Sequence, residues 1–462
     1  MGSAEQMDVA IALTVSFVTL LIAVHQGIFI LWPLLVTLGV MTAVYRRRGT
    51  AFSDLLAHMR LGVQQSAGVL SILLLIGVVV ASWLVAGTVP ALVYYGLQVI
   101  HPRWFLVSAF GLTGLVSTLL GTSFGSAGTI GLALMIMARS ADVPESWVAG
   151  AVIAGAYVGD RCSPMSSSAH LVAAITNTSV YRNLHLMLIT SWVPLMLSAA
   201  IYSVMSLQYP LEIVDNPLIE AIPATLSVHP VTLLPAILLV ALTIGRCPVR
   251  RALGGSLACA VAIAVALQAQ SLSTVIKTLL WGFQLPDQSP LSAILRGGGL
   301  WAMGQVCTVV LVSTALAGLL SGVGAFDRVG NALAFGPGKR QRFGGTLLAS
   351  LLTSAFGCTQ TIAILLTQQI VQPQYKSATP DGEQLAVDIE NSAVVLAPLI
   401  PWNIAGLVPA TVLLTDARFI PFAVYLYLLP LWHWFWGRSQ KKLSPMSESG
   451  STSAASLSKK VK

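Results

Sequence analysis

The strongest constraint on how this chain can fold is a succession of long apolar runs over almost its whole length: 9–24, 27–44, 68–86, 106–120, 184–207, 231–244, 252–267, 303–320, 392–414 and 419–436. Each is close to the roughly 20 residues a helix needs to cross the hydrocarbon of a bilayer. Only 9% of the residues are charged and mean hydropathy is +0.80, whereas soluble domains carry about 25% charged residues. A soluble core of this length is excluded. The pattern predicts an all-α polytopic membrane protein of about ten to twelve spans, several of them broken.

Lys and Arg outnumber Asp and Glu, 25 to 17. The excess sits in short loops and at the end of the chain: Arg46, Arg47 and Arg48; Arg246, Arg250 and Arg251; Lys339, Arg340 and Arg342; Arg438, Lys441, Lys442, Lys459 and Lys460. This placement reads as membrane topology, with the lipid bilayer as partner, and not as nucleic-acid binding. Positive-inside bias puts these loops and both termini in the cytoplasm. The stretch 208–230, with Glu212, Asp215 and Glu220 and no Lys or Arg, faces outward. The expected location is therefore the cytoplasmic (inner) membrane.

Glu5 and Asp8 stand before the first apolar run, where a cleavable signal would be basic, so that run is expected to be retained. The cysteines, Cys162, Cys247, Cys259, Cys307 and Cys358, form no CxxC or metal-ligand spacing and read as reduced and structural. Residues 437–462 read as a basic cytoplasmic tail, disordered by composition, so the membrane domain is 1–436. Oligomeric state stays open, with a homodimer among the options.

Against the apolar background, Gly155-Ala156-Tyr157-Val158-Gly159-Asp160-Arg161-Cys162-Ser163-Pro164-Met165-Ser166-Ser167-Ser168-Ala169-His170 needs a reason. A charge at the bilayer centre costs roughly 2.5 to 3.5 kcal/mol on insertion scales, and such residues usually face a cavity or ion path. A repeat gives that reason a form. Thr122-Ser123-Phe124-Gly125-Ser126-Ala127-Gly128-Thr129-Ile130 matches Thr353-Ser354-Ala355-Phe356-Gly357-Cys358-Thr359-Gln360-Thr361-Ile362 in its Phe-Gly and Thr-Ile spacing. Downstream of each lies an acidic cluster followed by proline: Asp160 to Pro164, and Asp388-Ile389-Glu390-Asn391-Ser392 with Pro398 and Pro401. The chain thus reads as two related halves, about 68–207 and 301–436. Paired interrupted segments point to a transporter's midplane site, where half-helix ends and freed carbonyls hold ions or substrate.

Sodium takes hard oxygen ligands, which carboxylates, hydroxyls, amides and unwound carbonyls supply. A carboxylate that holds sodium can hold a proton instead, the minimum machinery for cation/proton exchange. The residues expected to bind ion or substrate are Asp160, Ser163, Ser166, Glu390, Asn391, Asn403, Thr129 and Thr361, with Na+ at Asp160 and Glu390. Coupling or structural support falls to Arg161, His170, Asp388, Pro164, Pro398, Pro401, Gly125 and Gly357. No cofactor is expected beyond the transported ions, Na+ and H+. Asp160 has a second reading, as a structural ion pair with Arg161. Glu390 is expected to point inward and Asp388 toward an edge or vestibule.

Gly159-Asp160-Arg161-Cys162-Ser163-Pro164-Met165-Ser166 resembles the Gly-Asp-Lys-x-Ser-Pro-x-Ser signature of the NhaC-type sodium/proton antiporters. Asp388-Ile389-Glu390-Asn391 with Leu396-Ala397-Pro398-Leu399-Ile400-Pro401-Trp402-Asn403 is similar to that family's second signature. The resemblance implies inverted repeats with hairpins and broken helices meeting at a central site, and sodium/proton antiport by alternating access. Two departures bear on the solute. Ser167-Ser168-Ala169-His170 replaces a continuation that carries an acid and an amide in many members, and Arg161 stands where Lys is usual. Both raise an alternative from the same family, a sodium- or proton-coupled carrier of an organic anion or amino acid, with Arg161 holding its carboxylate. His170 could stand in for the lost acid or simply hydrogen-bond at the break.

A channel is a third reading, less favoured. Gly297-Gly298-Gly299 and Gly125-Ser126-Ala127-Gly128 lack the Lys and strand context of a phosphate loop. The run Trp432-His433-Trp434-Phe435-Trp436 fits an interfacial aromatic belt. His25, His58, His101, His185 and His229 are scattered and read as loop or interface residues. Ser163, His170 and Asp160 lack an oxyanion loop, so no enzyme is expected.

Overall fold

In the computed structural model the described residues are 3–141, 143–211, 217–286, 291–292, 294–325, 338–376 and 382–436. The expected tail and the acidic residues Glu212 and Asp215 lie outside them. The described chain is helical, with a single isolated bridge, Phe283 to Gly297: an all-α polytopic membrane protein. Among the described residues, five helices are long and apolar enough to cross alone: Ala67–Val85, Pro102–Leu120, Val180–Gln208, Val249–Ala266 and Leu300–Gly322. The pair Gly382–Leu399 and Ile404–Val412, bent by 53°, makes a sixth. Fewer such helices appear than apolar runs because several apolar helices, Ile11–His25 and Pro230–Ile244 among them, are shorter than a full span.

Four interrupted segments organise the centre. Phe105–Leu120 turns at Gly121 and Thr122 and returns through Ser123–Ser126, Ala127–Gly131 and Leu132–Ser140. Its outgoing end is tied at Leu211 N–H to Pro102 O, 3.1 Å, and its returning end at Arg139 to the carbonyls of Leu413 and Leu414 and to Glu145. Trp147 meets Tyr209 edge-on and Phe422 at a tilt, so these ends share one side of the molecule. This is hairpin I. Lys339–Gly357 and Gln360–Lys376 form hairpin II, whose arms are pinned by Thr353 to Thr367, 2.7 Å, and Thr346 to Tyr375, 2.9 Å. It enters from the opposite, basic end, where Arg340 lies 4.8 Å over the Trp434 ring.

Two broken helices run past the hairpin tips in opposite directions. Crossing I, Glu145–Cys162 with Ser167–Thr176, leads from the Trp147 side to the basic end. Crossing II, Gly382–Glu390 followed by Ala393–Leu396, Ala397–Leu399 and Ile404–Val412, leads back. Gln368 reaches Ile175 O, 3.4 Å, at the basic end, while Leu413 O meets Arg139 at the other.

Close backbone approach makes this packing workable without a strong hydrophobic drive between helices in lipid. A Cβ on Gly159 would lie 2.1 Å from the Ser117 carbonyl carbon, so crossing I can lie against hairpin I only with glycine there. At the tip, Gly121 combines φ +67° with a Cβ position 2.5 Å from Met165 carbonyl carbon, and both demands exclude a side chain.

One sequence expectation changes here. The matched Phe-Gly pairs do not occupy equivalent places: Gly357 ends the outgoing arm of hairpin II, whereas Gly125 lies beyond the tip of hairpin I. The equivalent residues are the tip threonines. Thr122 accepts the Gly125 N–H and Thr359 accepts the Ile362 N–H, each capping the returning arm three residues on.

Candidate functional site

Crossing I breaks because Pro164 has no N–H to give the carbonyl of Asp160, four residues earlier. Hydroxyls take over. Ser166 and Ser168 both donate to Asp160 O, the latter at 2.9 Å, and Ser166 caps the next helix by accepting the Ala169 N–H. Ser163 accepts the Met165 N–H at 3.1 Å. The serines expected as ion ligands therefore complete the break. His170 is exposed, with Nε2 3.0 Å from Pro164 O, which ties it to the break as a hydrogen-bonding residue.

The Asp160 carboxylate is buried and touched by both hairpin tips. Ser123 at the tip of hairpin I lies close to it, and Gln360 Nε2 donates from hairpin II at 3.2 Å while also reaching Val394 O. Ser123 and Gln360 each follow the tip threonine of their hairpin. Asp160 forms no ion pair with Arg161 among the described salt bridges, because successive helical side chains point about 100° apart.

Arg161, 0% exposed, turns instead to Val180–Gln208 and crossing II. One terminal nitrogen meets Ser191 Oγ at 2.7 Å and Tyr425 O–H at 3.3 Å; the other meets Thr190 Oγ1 at 3.2 Å, Met187 O at 3.4 Å and the side-chain oxygen of Asn391. Both ends of its fork are filled by protein. Asn391 is thereby an Arg161 partner and not a free ligand.

Glu390 differs from every other acid at the centre. It is 1% exposed, and neither carboxylate oxygen has a hydrogen-bond partner among the described residues. It lies within coulombic reach of Arg161 and Asp160. Asp388, expected at an edge, is 2% exposed and instead binds Tyr375, Gln384 and His433. Two residues along a helix turn a side chain by about 200°, so the two acids part to opposite faces but both stay inside.

The second break is pinned to the tip of hairpin II. Ile404 N–H donates to Cys358 O at 2.9 Å, Trp402 Nε1 to Ala355 O at 2.6 Å, and Asn403 Nδ2 to Ser354 O at 2.8 Å. Asn403 also accepts the Ala405 N–H. Pro398 sits in the turn Ala397–Leu399, and Pro401 follows the extended Ile400. Ser392 Oγ closes on Asp388 O at 2.6 Å, the same hydroxyl-for-amide exchange as in crossing I. Tyr157 O–H joins the crossings through Ala405 O at 2.7 Å.

Not every expected ligand comes to the site. Thr129 donates to Gly125 O at 2.7 Å within the turn Ala127–Gly131, and Thr361 is exposed. Residues missed from sequence are Gln360, Ser123, Ser168, Tyr157 and His433. Gln360 was findable by aligning the hairpins on their capping threonines. His433, placed in an aromatic belt, is buried against Asp388, and nothing local marks it.

Comparison with known proteins gives a concordant result. Residues 155–433 match the model of the Na+/H+ antiporter family. The chain is similar to the Na(+)/H(+) antiporter NhaC of Alkalihalophilus pseudofirmus, 27% identical over 90% of this chain and 94% of that protein. It is also similar to the Na(+)/H(+) antiporter NhaC of Bacillus subtilis, 29% identical over 80% and 83%. The malate-2H(+)/Na(+)-lactate antiporter of Bacillus subtilis is 26% identical over 90% and 89%.

Proposed function

Since the chain belongs to the Na+/H+ antiporter family, we propose that it exchanges sodium for protons across a membrane by exposing Asp160 and Glu390 alternately to the two sides. It is a secondary transporter and not an enzyme. The observation that carries the site assignment is the Glu390 carboxylate, buried and without a partner among the described residues. Burying an uncompensated charge is expensive. Asp160 and Glu390 bring two negative charges and Arg161 one positive, so a single Na+ or a single proton brings the chamber to neutrality. Either can fill the place and not both, which is the basis of exchange.

The hairpins supply the gates in this reading. One tip covers Asp160 through Ser123 and the other through Gln360, and they enter from opposite ends. Retracting either admits ions from its own side. With the basic end toward the cytoplasm, hairpin II is the cytoplasmic gate, in the inner membrane.

Transport of an organic carboxylate has less support. Arg161, the group suited to hold one, has both terminal nitrogens committed to Ser191, Thr190, Tyr425 and Asn391. Proteoliposomes test the choice: labelled Na+ should accumulate when an imposed pH gradient drives protons the other way, with no added solute. Flux that appears only with a dicarboxylate or amino acid from a tested panel rules out this reading. Trans-stimulation by Na+ separates a carrier from a channel.

A further inference from the structure

Hairpin I borders a cavity of about 450 Å³ whose lining includes neither Asp160 nor Glu390. Val116 and Leu120 of the outgoing arm and Ile130 of the returning arm form one wall, and the helix Pro230–Ile244, from Ala236 onward, forms the other. Its volume falls in the range of small-ligand sites, roughly 300–1,000 Å³. The hydrogen-bonding side chains in the lining are already engaged: Thr129 Oγ1 donates to Gly125 O at 2.7 Å and Trp83 Nε1 to Ser256 Oγ at 2.9 Å. The walls therefore keep no free donor, and a cavity so lined stays dry. Hydrocarbon is the occupant they favour.

Its open flank and its end identify the molecule. Ile237 and Ile244 are 56% and 63% exposed, so in a membrane protein the crevice opens onto lipid. The wall from Ala236 to Ile244 is about 12 Å long, close to one leaflet of a roughly 30 Å hydrocarbon core. Just beyond Ile244 come Arg246, Arg250 and Arg251, all exposed and none in a salt bridge among the described residues. Arg250 Nη2 reaches Gly68 O at 3.4 Å, which sets this basic turn beside the start of the helix Ala67–Val85 that supplies Trp83. Arg250 and Arg251 also open the helix Val249–Ala266, whose N-terminal amides attract phosphate. The chain has no Asp or Glu from 221 to 286, so no acid of this segment competes for the guanidiniums.

We propose that this crevice binds one anionic phospholipid: an acyl chain lies between hairpin I and the helix Pro230–Ile244, and the phosphate is held by Arg246, Arg250 and Arg251. Guanidinium forks match phosphate oxygens, and basic groups at the end of a span select anionic headgroups. A free phosphate would satisfy the arginines and leave the crevice empty. A zwitterionic lipid would fill the crevice but bring its own cation to the arginines. Once occupied, the crevice gives hairpin I a packed back wall, since Leu120 adjoins its turn at Gly121. This site goes beyond the exchange reading and does not depend on which ion is carried.

The test is a titration of the full chain, delipidated in detergent, with phosphatidylglycerol or phosphatidylcholine, bound lipid being counted by native mass spectrometry. Wild type is expected to take one phosphatidylglycerol at least about tenfold more tightly than phosphatidylcholine. Arg246→Gln with Arg251→Gln should bring the two lipids to within about threefold, Arg250 being left for its bond to Gly68. Ala241→Phe narrows the crevice and keeps every arginine, and should weaken phosphatidylglycerol about tenfold. Glycerol phosphate, the same headgroup chemistry without chains, should not displace the lipid. The site is overturned by the lack of a saturable single lipid, by equal wild-type affinities, by an arginine variant that keeps its preference, by Ala241→Phe binding as wild type does, or by displacement with glycerol phosphate. If Ala241→Phe does not assemble, short-chain phosphatidylglycerol on wild type decides: weaker binding supports the crevice and unchanged binding overturns it. Binding is read with no ion gradient, so failure of the exchange reading leaves this result standing, and the reverse holds.

Discussion

At the first break the acid is engaged: the Asp160 carboxylate accepts from Gln360 of one hairpin tip and lies close to Ser123 of the other, and two serine hydroxyls donate to its carbonyl. At the second break the backbone is closed in the same manner, by Ser392, Trp402 and Asn403, yet the Glu390 carboxylate has no donor among the described residues. The contrast separates two jobs. In the proposed exchange Asp160 senses whether the gates are shut, since both reach it, and Glu390 is the open coordination place. Arg161 is electrostatically near Glu390 but bonded elsewhere.

The contrast breaks first at the acids themselves. Glu390→Gln keeps the shape and removes the charge, and is expected to cut Na+-driven proton movement by about a hundredfold, roughly 2.7 kcal/mol in rate, with the protein still inserted. Unchanged exchange and an unchanged pH profile would assign Glu390 a structural part. Asp160→Asn is expected to lose coupled transport to a similar degree; normal exchange by that variant removes Asp160 from the mechanism. If the two jobs are distinct, Asp160→Asn also disturbs gate closure, seen as proteolysis of the hairpin loops that Glu390→Gln leaves protected.

Arg161→Lys comes next. A single ammonium cannot serve Ser191, Tyr425, Thr190 and Asn391 at once, and a buried donor or acceptor left unpaired costs about 1–3 kcal/mol. Thermal unfolding in detergent is expected to drop accordingly. A variant with wild-type stability but no Na+ transport would move Arg161 from scaffold to ion site.

Gln360→Ala removes one of the two gate contacts on Asp160, a neutral donor to a charged acceptor worth about 1.5–3 kcal/mol. The second gate should then open more readily, with the apparent Na+ affinity from the basic side changed about tenfold and that from the other side much less. Equal changes on both sides would mean that the hairpins do not act as separate gates.

Membrane placement and the breaks were legible in the sequence because their causes are local: about twenty apolar residues make a span, and Pro164 deprives Asp160 O of its donor wherever the helix lies. Partnerships across the chamber were not. Gln360 and Asp160 are 200 positions apart, Arg161 and Asn391 230, and only packing decides that Arg161 leaves its neighbour for a distant amide. The run 106–120 reads as a crossing by hydropathy, yet its continuation turns back at Gly121, because a hairpin arm and a span bury the same kind of surface. The repeat was visible, but Phe-Gly spacing misled its register; a capping threonine has a mechanical role at the tip and the Phe-Gly pair does not. Likewise His433 sits in a row of tryptophans, where an aromatic belt is the reasonable expectation and burial against Asp388 leaves no local trace.

Ser166→Ala probes the smallest difference, whether the hydroxyls of the first break bind ions or only close it. Ser168 still donates to Asp160 O in that variant, so the carbonyl keeps a partner and the loss is one hydrogen bond and a helix cap, about 0.5–2 kcal/mol of stability. Exchange at saturating Na+ should persist within about threefold. Because the Ser166 hydroxyl bonds the Asp160 backbone carbonyl and the Ala169 N–H and not the carboxylate, KM for Na+ should change little. A KM raised tenfold or more with stability intact would make Ser166 a sodium ligand in a state other than this one, and would show that the first break, like the second, keeps an oxygen in reserve for the ion.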